Sequence, residues 1–292
     1  MKSILDLNST MNTARTERVS WKSVGLTYLF YLVLMLLMQW GLSPFVKKGN
    51  LLVLLMVCAV VVILLLLFVF FYLKRSPASL GMTKKKLALR YGSGWLFSLG
   101  CLLLVFLVNL VAGGLAISIN QDVNLLLLGL TLVGFIFQGF LEEFLLRSLL
   151  MTQFALKLGV VLAIILNSVI FGLGHMTNAG ASVISVVNTI LIGLVMSMMF
   201  YYHDTIWFVS GFHSGWNFIL GPILGIPVSG FQLPTSLFTS RVKESHSFLT
   251  GGSYGFEAGF VVTVLAIGLI GFYLYLLKKN RASWLSLPAR RQ

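Results

Sequence analysis

Glutamate, histidine and asparagine side chains lie in three short patterns within otherwise apolar segments. The stretch GFLEEFLLRSLL carries Glu142 and Glu143, although the 292-residue chain has only eight Asp and Glu residues. FGLGH ends on His175, and HSGWN contains His213 and Asn217. A carboxylate near a neutral imidazole can take a proton from water, and an Asn amide with a second His can stabilise a developing oxyanion. These residue types indicate water activation, and hydrolysis of a peptide bond fits them.

The spacing within each pattern is that of neighbours on a helix surface. Residues four apart lie on one helix face, so an ion pair between Glu143 and Arg147 is expected. Glu142 lies about 100° round the same helix and is then available for chemistry. The same spacing relates two further pairs, Phe171 with His175 and His213 with Asn217.

Other interpretations of these residues remain open at this point. The Glu143–Arg147 pair could serve helix packing alone, and a single histidine within a membrane is often only a hydrogen-bond donor. Glu142, His175 and His213 together are also a two-histidine, one-carboxylate set of the kind that holds catalytic zinc. No HExxH pattern is present, so this metal site has no local signature.

The composition indicates that the bilayer is the solvent of this chain. Hydrophobic residues make up 58% and charged residues 10%, far from the roughly 25% charged residues of soluble domains. A helical span needs about 20 apolar residues. Four uncharged segments satisfy this, and four less clean segments lie between them: 23–46, 51–73, 91–121 and 258–277, then 123–150, 157–177, 180–202 and 205–222. The predicted fold is therefore all-α, a polytopic membrane protein of about eight transmembrane helices.

The basic residues predict the orientation. With eight spans, one side of the membrane carries 16 Lys and Arg and the other carries four, Lys47, Lys48, Arg241 and Lys243. The positive-inside rule makes the first side cytosolic, together with both termini. The net charge of +13 then reflects topology and anionic lipid headgroups, and no nucleic-acid partner is expected. The first 22 residues are too polar for a signal peptide, so no cleaved leader is expected.

Several remaining residues are assigned no part in the chemistry. Cys58 and Cys101 lie in apolar runs and are expected to be buried thiols without a disulfide or metal role. His203, Asp204 and His246 are expected to be solvated or to cap helices. The long loop at about 223–257 is rich in turn-forming residues and is placed on the outer side.

The ordered patterns resemble the three motifs of the CAAX prenyl protease and bacteriocin-processing family, also called the abortive-infection family. EExxxR, FxxxH and HxxxN follow one another on successive apolar segments, separated by about 30 and 40 residues. The resemblance covers roughly 123–277, and LTGGSYGFEAG, just before the last span, also looks like a stretch of that family. It divides the chain into a cytosolic segment (1–22), three transmembrane helices without motifs (23–122), a protease-like core (123–277) and a basic cytosolic tail (278–292).

This resemblance implies an intramembrane endopeptidase with an all-helical core, a polar active-site chamber within the bilayer and defined residue roles. Glu142 and His175 would activate water, and His213 and Asn217 would bind the oxyanion. Glu143, Arg147 and Phe171 would support them. The family is often labelled metalloprotease, but the mechanism implied here depends on glutamate and needs no cofactor, with zinc as the lesser alternative.

Substrates and localisation follow from the same resemblance. The expected substrate is a membrane-associated, leader or prenylated peptide, and the expected location is a bacterial plasma membrane. Two rival functions remain. One is a non-catalytic self-immunity or signalling protein in which the polar cluster only holds the helices together. The other is a proton-coupled transporter, since buried Glu and His residues also build proton relays.

Overall fold

The computed structural model describes residues 5–42 and 51–285, and these form a bundle of helices with one small two-stranded sheet. The principal helices and strands are α1 (Ser9–Thr16), α2 (Trp21–Leu42), α3 (Leu51–Leu67), α4 (Leu87–Val111), β1 (Leu115–Ile119), α5 (Leu125–Glu143), α6 (Thr152–Leu158), α7 (Val160–Gly174), α8 (Val183–His203), α9 (Ile206–Phe218), β2 (Phe238–Val242), α10 (Ser247–Thr250) and α11 (Phe260–Leu285). Three π-helical segments extend α3, α5 and α9: Phe68–Tyr72, Phe144–Met151 and Ile219–Ile223. Short 3-10 turns occur at Ala78–Leu80, Glu244–His246, Gly252–Tyr254 and Phe256–Ala258.

Six of the described helices are long and apolar enough to cross a membrane, and the protein is an integral, multi-pass membrane protein. The eight predicted segments correspond to α2, α3, α4, α5, α7, α8, α9 and α11. Of these, α7 is a shorter apolar helix of 15 residues, and α9 has 13 residues before its π-helical extension. The all-α prediction is confirmed.

Two predicted span boundaries are wrong. The helix expected over 91–121 starts at Leu87 and stops at Val111, because Gly113 turns the chain with φ of +74°. Residues 115–119 then form β1, which pairs antiparallel with β2 from the long loop between α9 and α11. The helix expected over 123–150 continues without interruption through the π-helical segment to Leu158.

The extra length of this helix brings two motif residues to the same level. A single residue, Gly159, joins α6 to α7, and its φ of 85° with ψ of 160° is a conformation that favours glycine. Glu142 precedes this turn by 17 residues and His175 follows it by 16. At about 1.5 Å per residue, both lie about 25 Å from the turn. A helix boundary at 150 would have placed Glu142 much too near one membrane surface.

Glycine contacts hold α9 tightly between α4 and α5. A Cβ atom on Gly211 of α9 would lie 2.1 Å from the Tyr91 carbonyl oxygen, and one on Gly94 of α4 would lie 2.1 Å from the Phe208 carbonyl oxygen. On the other side, a Cβ on Gly139 of α5 would lie 2.5 Å from Ser214 Oγ. Small residues of this kind allow close approach of helices within a membrane. They bring the polar face of α9 against that of α5.

The N-terminal helix α1 packs on the turn between α8 and α9. Asp204 accepts hydrogen bonds from the backbone amides of Ser9 and Thr10 at 3.1 and 2.9 Å, so it caps α1. This agrees with the expectation that Asp204 is solvated or caps a helix. Met11 is completely buried there. His203 is partly buried rather than solvated: its ring stacks on Phe208.

Cys58 and Cys101 are buried free thiols.

The fold does not test the predicted orientation of the chain across the membrane, which stays a prediction. Some of the residues that it counted lie outside the described part of the chain: Lys2, Lys47, Lys48, Arg290 and Arg291.

Candidate active site

The three sequence patterns meet at one cavity of about 500 Å³. Helices α5 and α9 and the end of α7 supply the motif residues of its wall, and α2, α3 and α8 also line it. Five of the seven residues singled out from the sequence line it directly: Glu142, Phe171, His175, His213 and Asn217. Glu143 and Arg147 lie behind this wall and are fully buried.

The buried carboxylate of Glu143 joins two of the motifs. Its Oε1 accepts a hydrogen bond from Arg147 Nη1 at 2.8 Å, which confirms the ion pair expected from the spacing. The same oxygen lies 2.9 Å from His213 Nδ1 on α9. Arg147 also donates to the Gly193 carbonyl oxygen on α8 at 3.3 Å. The pair therefore connects α5 with α8 and α9 and fixes the ring of His213.

Glu142 faces the cavity instead of the helix interior. Its side chain is 31% exposed, whereas that of Glu143 is 0% exposed. Oε2 of Glu142 lies 3.9 Å from His213 Nε2, beyond hydrogen-bond distance, and Oε1 accepts a hydrogen bond from Gln138 Nε2. Glu142 thus has one oxygen held by an amide and the other directed towards the space beside His213.

The amide of Asn217 also lies at the cavity wall. Asn217 lies one helical turn beyond His213 on α9. Its Nδ2 donates a hydrogen bond to Gln138 Oε1 on α5 at 2.9 Å. An Asn Nδ2 carries two N–H groups, so this bond leaves one of them for another acceptor. Asn217 and His213 are 5% and 7% exposed, and both belong to the wall of the cavity.

His175 is the C-cap residue of α7 and is held by the last turn of that helix. Its Nδ1 lies 2.8 Å from the Phe171 carbonyl oxygen, which can only accept, so Nδ1 carries the hydrogen. In the neutral ring, Nε2 is then the unprotonated nitrogen and can act as a base. The Phe171 ring packs edge-on against both histidine rings, with centroid distances of 4.7 Å to His175 and 6.1 Å to His213.

A helix irregularity occurs where the first motif lies. The π-helical segment Phe144–Met151 contains Arg147, and π-helical turns are often found at functional sites. The Tyr28 hydroxyl donates to the Leu145 carbonyl oxygen in this segment at 2.6 Å. Tyr28 therefore ties α2, a helix without any motif, to the polar part of the molecule.

Gln138 and Glu257 are among the polar residues of the cavity that had been given no role from the sequence. Gln138 lies one turn before Glu142, and only its i, i+4 relation to Glu142 could have drawn attention to it. Glu257 lies in the stretch that resembles the family just before α11. It accepts hydrogen bonds from Trp216 Nε1 at 3.2 Å and from the Ser229 backbone amide and hydroxyl. Burial raises the pKa of Glu257, and the bonds from Ser229 oppose that rise.

The zinc alternative would use Glu142, His175 and His213. In the described part of the chain, no three His, Cys, Asp or Glu side chains are grouped as they stand so that they could hold a metal ion. The Nδ1 atoms of His213 and His175 are bonded to Glu143 and to a carbonyl, and the Nε2 atoms of both rings are left for other partners. Metal-free chemistry therefore stays a proposal.

The fold and the cavity define the class of the protein: a multi-pass helical membrane protein with a polar site enclosed between its helices. Residues 124–219 match the family model described as type II CAAX prenyl endopeptidase Rce1-like. This range contains all three sequence patterns, from Glu142 to Asn217. The match covers 96 of the 292 residues and supports the resemblance of this part of the chain to the CAAX prenyl protease and bacteriocin-processing family. A comparison with curated proteins found no match.

Proposed function

We propose that the protein is an intramembrane endopeptidase that hydrolyses a peptide bond with water activated by Glu142 and His175. The observation that carries the proposal is the meeting of Glu142, His175, His213 and Asn217 at one cavity although they come from three helices. A match to a family model does not show how these four side chains are arranged in space. Their convergence supports a common chemical task.

The first step is attack by water on the peptide carbonyl carbon. Glu142, through the oxygen that Gln138 does not hold, takes a proton as the water oxygen bonds to that carbon. His175 positions the water through its unprotonated Nε2. The carbonyl oxygen becomes an oxyanion, which accepts hydrogen bonds from the remaining Asn217 N–H and from His213. His213 donates from Nε2 in its imidazolium form, whose charge Glu143 balances on the opposite side of the ring.

The second step is collapse of the tetrahedral intermediate. The carbon–nitrogen bond breaks as the carbonyl reforms, and the leaving nitrogen receives the proton held by Glu142. The products are a new carboxyl group and a new amine, and Glu142 returns to its starting state. No redox change and no cofactor enters this balance.

The apolar wall supports a lipophilic substrate. Tyr31, Met35, Leu54 and Cys58 line the cavity from α2 and α3, and Ile192 and Met196 line it from α8. A peptide that is already in the membrane, a leader segment or a peptide carrying a prenyl group could place apolar surface there while its scissile bond meets the polar wall. We therefore propose these three substrate classes.

The experiment is cleavage of a peptide panel by the purified full-length protein in lipid nanodiscs, followed by mass spectrometry. The panel contains leader peptides and prenylated peptides, each assayed with and without a chelator. A product that forms with wild-type protein, persists in chelator and is lost in His175→Ala at unchanged thermal stability supports the proposal. Loss of product in chelator would instead require a metal.

The same preparations distinguish the rival functions. A scaffold would show no cleavage and would keep its cellular function in Glu142→Gln and His175→Ala. A transporter would move protons in a liposome flux assay, and that flux would not depend on Asn217, which does not titrate. Either result would contradict the endopeptidase proposal.

A further inference from the structure

Gln138 contacts two helices of the cavity at once. It lies on α5 one turn before Glu142 and donates from Nε2 to Glu142 Oε1. Its own Oε1 accepts a hydrogen bond from Asn217 Nδ2 on α9 at 2.9 Å. The residue is partly buried and lines the cavity. It thus links the side chain proposed as the base with the one proposed as an oxyanion donor.

The two contacts fix the direction of the Gln138 amide. A carboxylate oxygen only accepts hydrogen bonds, so the NH₂ end of Gln138 must face Glu142. The Nδ2 group of Asn217 only donates, so the carbonyl end must face Asn217. Rotating the amide by 180° would set acceptor against acceptor and donor against donor. The arrangement therefore has one satisfied orientation, and it orients both neighbours.

We propose that Gln138 is a positioning residue that sets the geometry between Glu142 and Asn217 for hydrolysis; this inference rests on the endopeptidase function proposed above. Because Gln138 holds Oε1 of Glu142, Oε2 of Glu142 is directed towards water. By holding one N–H of Asn217, Gln138 directs the other towards the oxyanion.

The contact between α5 and α9 separates this role from simple helix packing. A Gln–Glu pair at i, i+4 on one helix needs no second helix. Gln138 instead reaches across to a residue 79 positions away in the chain. Packing between the same two helices is supplied independently where Gly139 lies against Ser214. Removing the amide should therefore disturb the alignment of the site more than the docking of the helices.

The test compares Gln138→Met, which keeps length and removes the amide, with Gln121→Met, an exposed glutamine before α5. Both are assayed on whichever panel peptide wild type cleaves. Because small misplacements of reacting groups can cost about 100-fold in rate, kcat should fall by about 10- to 100-fold in Gln138→Met. KM should stay within about twofold, since substrate contacts along the apolar wall remain. Gln121→Met should behave as wild type, and an unchanged kcat in Gln138→Met would overturn the inference.

Thermal unfolding provides a readout that needs no substrate. The midpoints of Gln138→Met, Asn217→Leu and the double variant form a cycle with wild type. A double variant less destabilised than the sum of the single variants supports the contact, and strictly additive shifts overturn it. If no panel peptide is cleaved, that result counts against the endopeptidase proposal for these peptides. The thermal unfolding cycle still shows whether Gln138 and Asn217 interact. If Gln138→Met does not fold, Gln138→Glu keeps the acceptor for Asn217, and an unchanged kcat in that variant would equally overturn the inference.

Discussion

One oxygen of Glu143 accepts hydrogen bonds from Arg147 at 2.8 Å and from His213 at 2.9 Å. Because Nδ1 of His213 is occupied in this way, Nε2 is the nitrogen turned towards Glu142, 3.9 Å away. The ion pair therefore does more than join turns of one helix. It orients a histidine that comes from a helix 70 residues later in the chain.

The first prediction concerns this ion pair. Arg147→Met should lower the free energy of unfolding by about 3–5 kcal/mol, because it removes the arginine that neutralises the fully buried Glu143 carboxylate and leaves that carboxylate with the His213 bond. Adding Glu143→Gln should recover part of the loss, since no buried charge then remains at the pair. Unfolding in detergent followed by tryptophan fluorescence measures both changes. A double variant less stable than Arg147→Met would contradict the arrangement.

The second prediction concerns the approach of α9 to α4. Gly211→Ala should cost about 1–3 kcal/mol, because its Cβ would lie 2.1 Å from the Tyr91 carbonyl oxygen and the helices would have to separate. Cleavage should fall as well, since α9 carries His213 and Asn217. Gly100→Ala on α4 is the control, because its Cβ would meet nothing within 4 Å. Equal melting temperatures for the two variants would show that this close contact is absent.

Glu257 gives a prediction about pH. Its pKa is raised in the folded protein above the ordinary value of 4.5, chiefly by burial, so the folded state binds its proton more tightly than the unfolded state. Stability from this group is thus full below pH 4.5 and is lost as the pH rises through the folded pKa. Glu257→Gln should flatten that part of the curve of melting temperature against pH. Glu244→Gln, which changes an exposed acid, should leave the curve as in wild type. A wild-type slope in Glu257→Gln would be the contrary result.

A fourth prediction concerns the cap on α1. Asp204→Ala should destabilise the protein by about 0.5–2 kcal/mol and increase hydrogen exchange in Ser9–Thr16, because two amides lose their acceptor. Asp204→Asn keeps one of the two acceptor oxygens, puts an NH₂ donor in place of the other, and tolerates the left-handed backbone at this position, where φ is 50°. Its exchange should therefore lie between those of wild type and Asp204→Ala. Exchange in Asp204→Ala as slow as in wild type would contradict the cap.

Local patterns in the sequence predicted much of this architecture. Apolar runs gave the helical class and the number of major helices, and the i, i+4 spacing gave the Glu143–Arg147 pair. These features depend on neighbours along one helix, so they can be read from a single segment. The three motifs also identified five of the cavity residues.

Features that depend on contacts between distant segments were missed. The pairing of β1 with β2 and the bond from Asn217 to Gln138 join residues more than 70 positions apart, and neither has a local pattern. The end of this helix at Leu158 was missed because the predicted segments 123–150 and 157–177 left a connection between them. In the structure the helix runs through that connection, and Gly159 turns the chain.

The central claim is that Glu142 activates water, and one comparison tests it most directly. Glu142→Gln keeps the size of the side chain and its contact with Gln138 but removes the base. Mass spectrometry of a cleaved panel peptide should show product with wild type and with Glu244→Gln at equal rates, and at least about 100-fold less with Glu142→Gln. The three proteins should have similar melting temperatures. Cleavage by folded Glu142→Gln at the wild-type rate would contradict the mechanism.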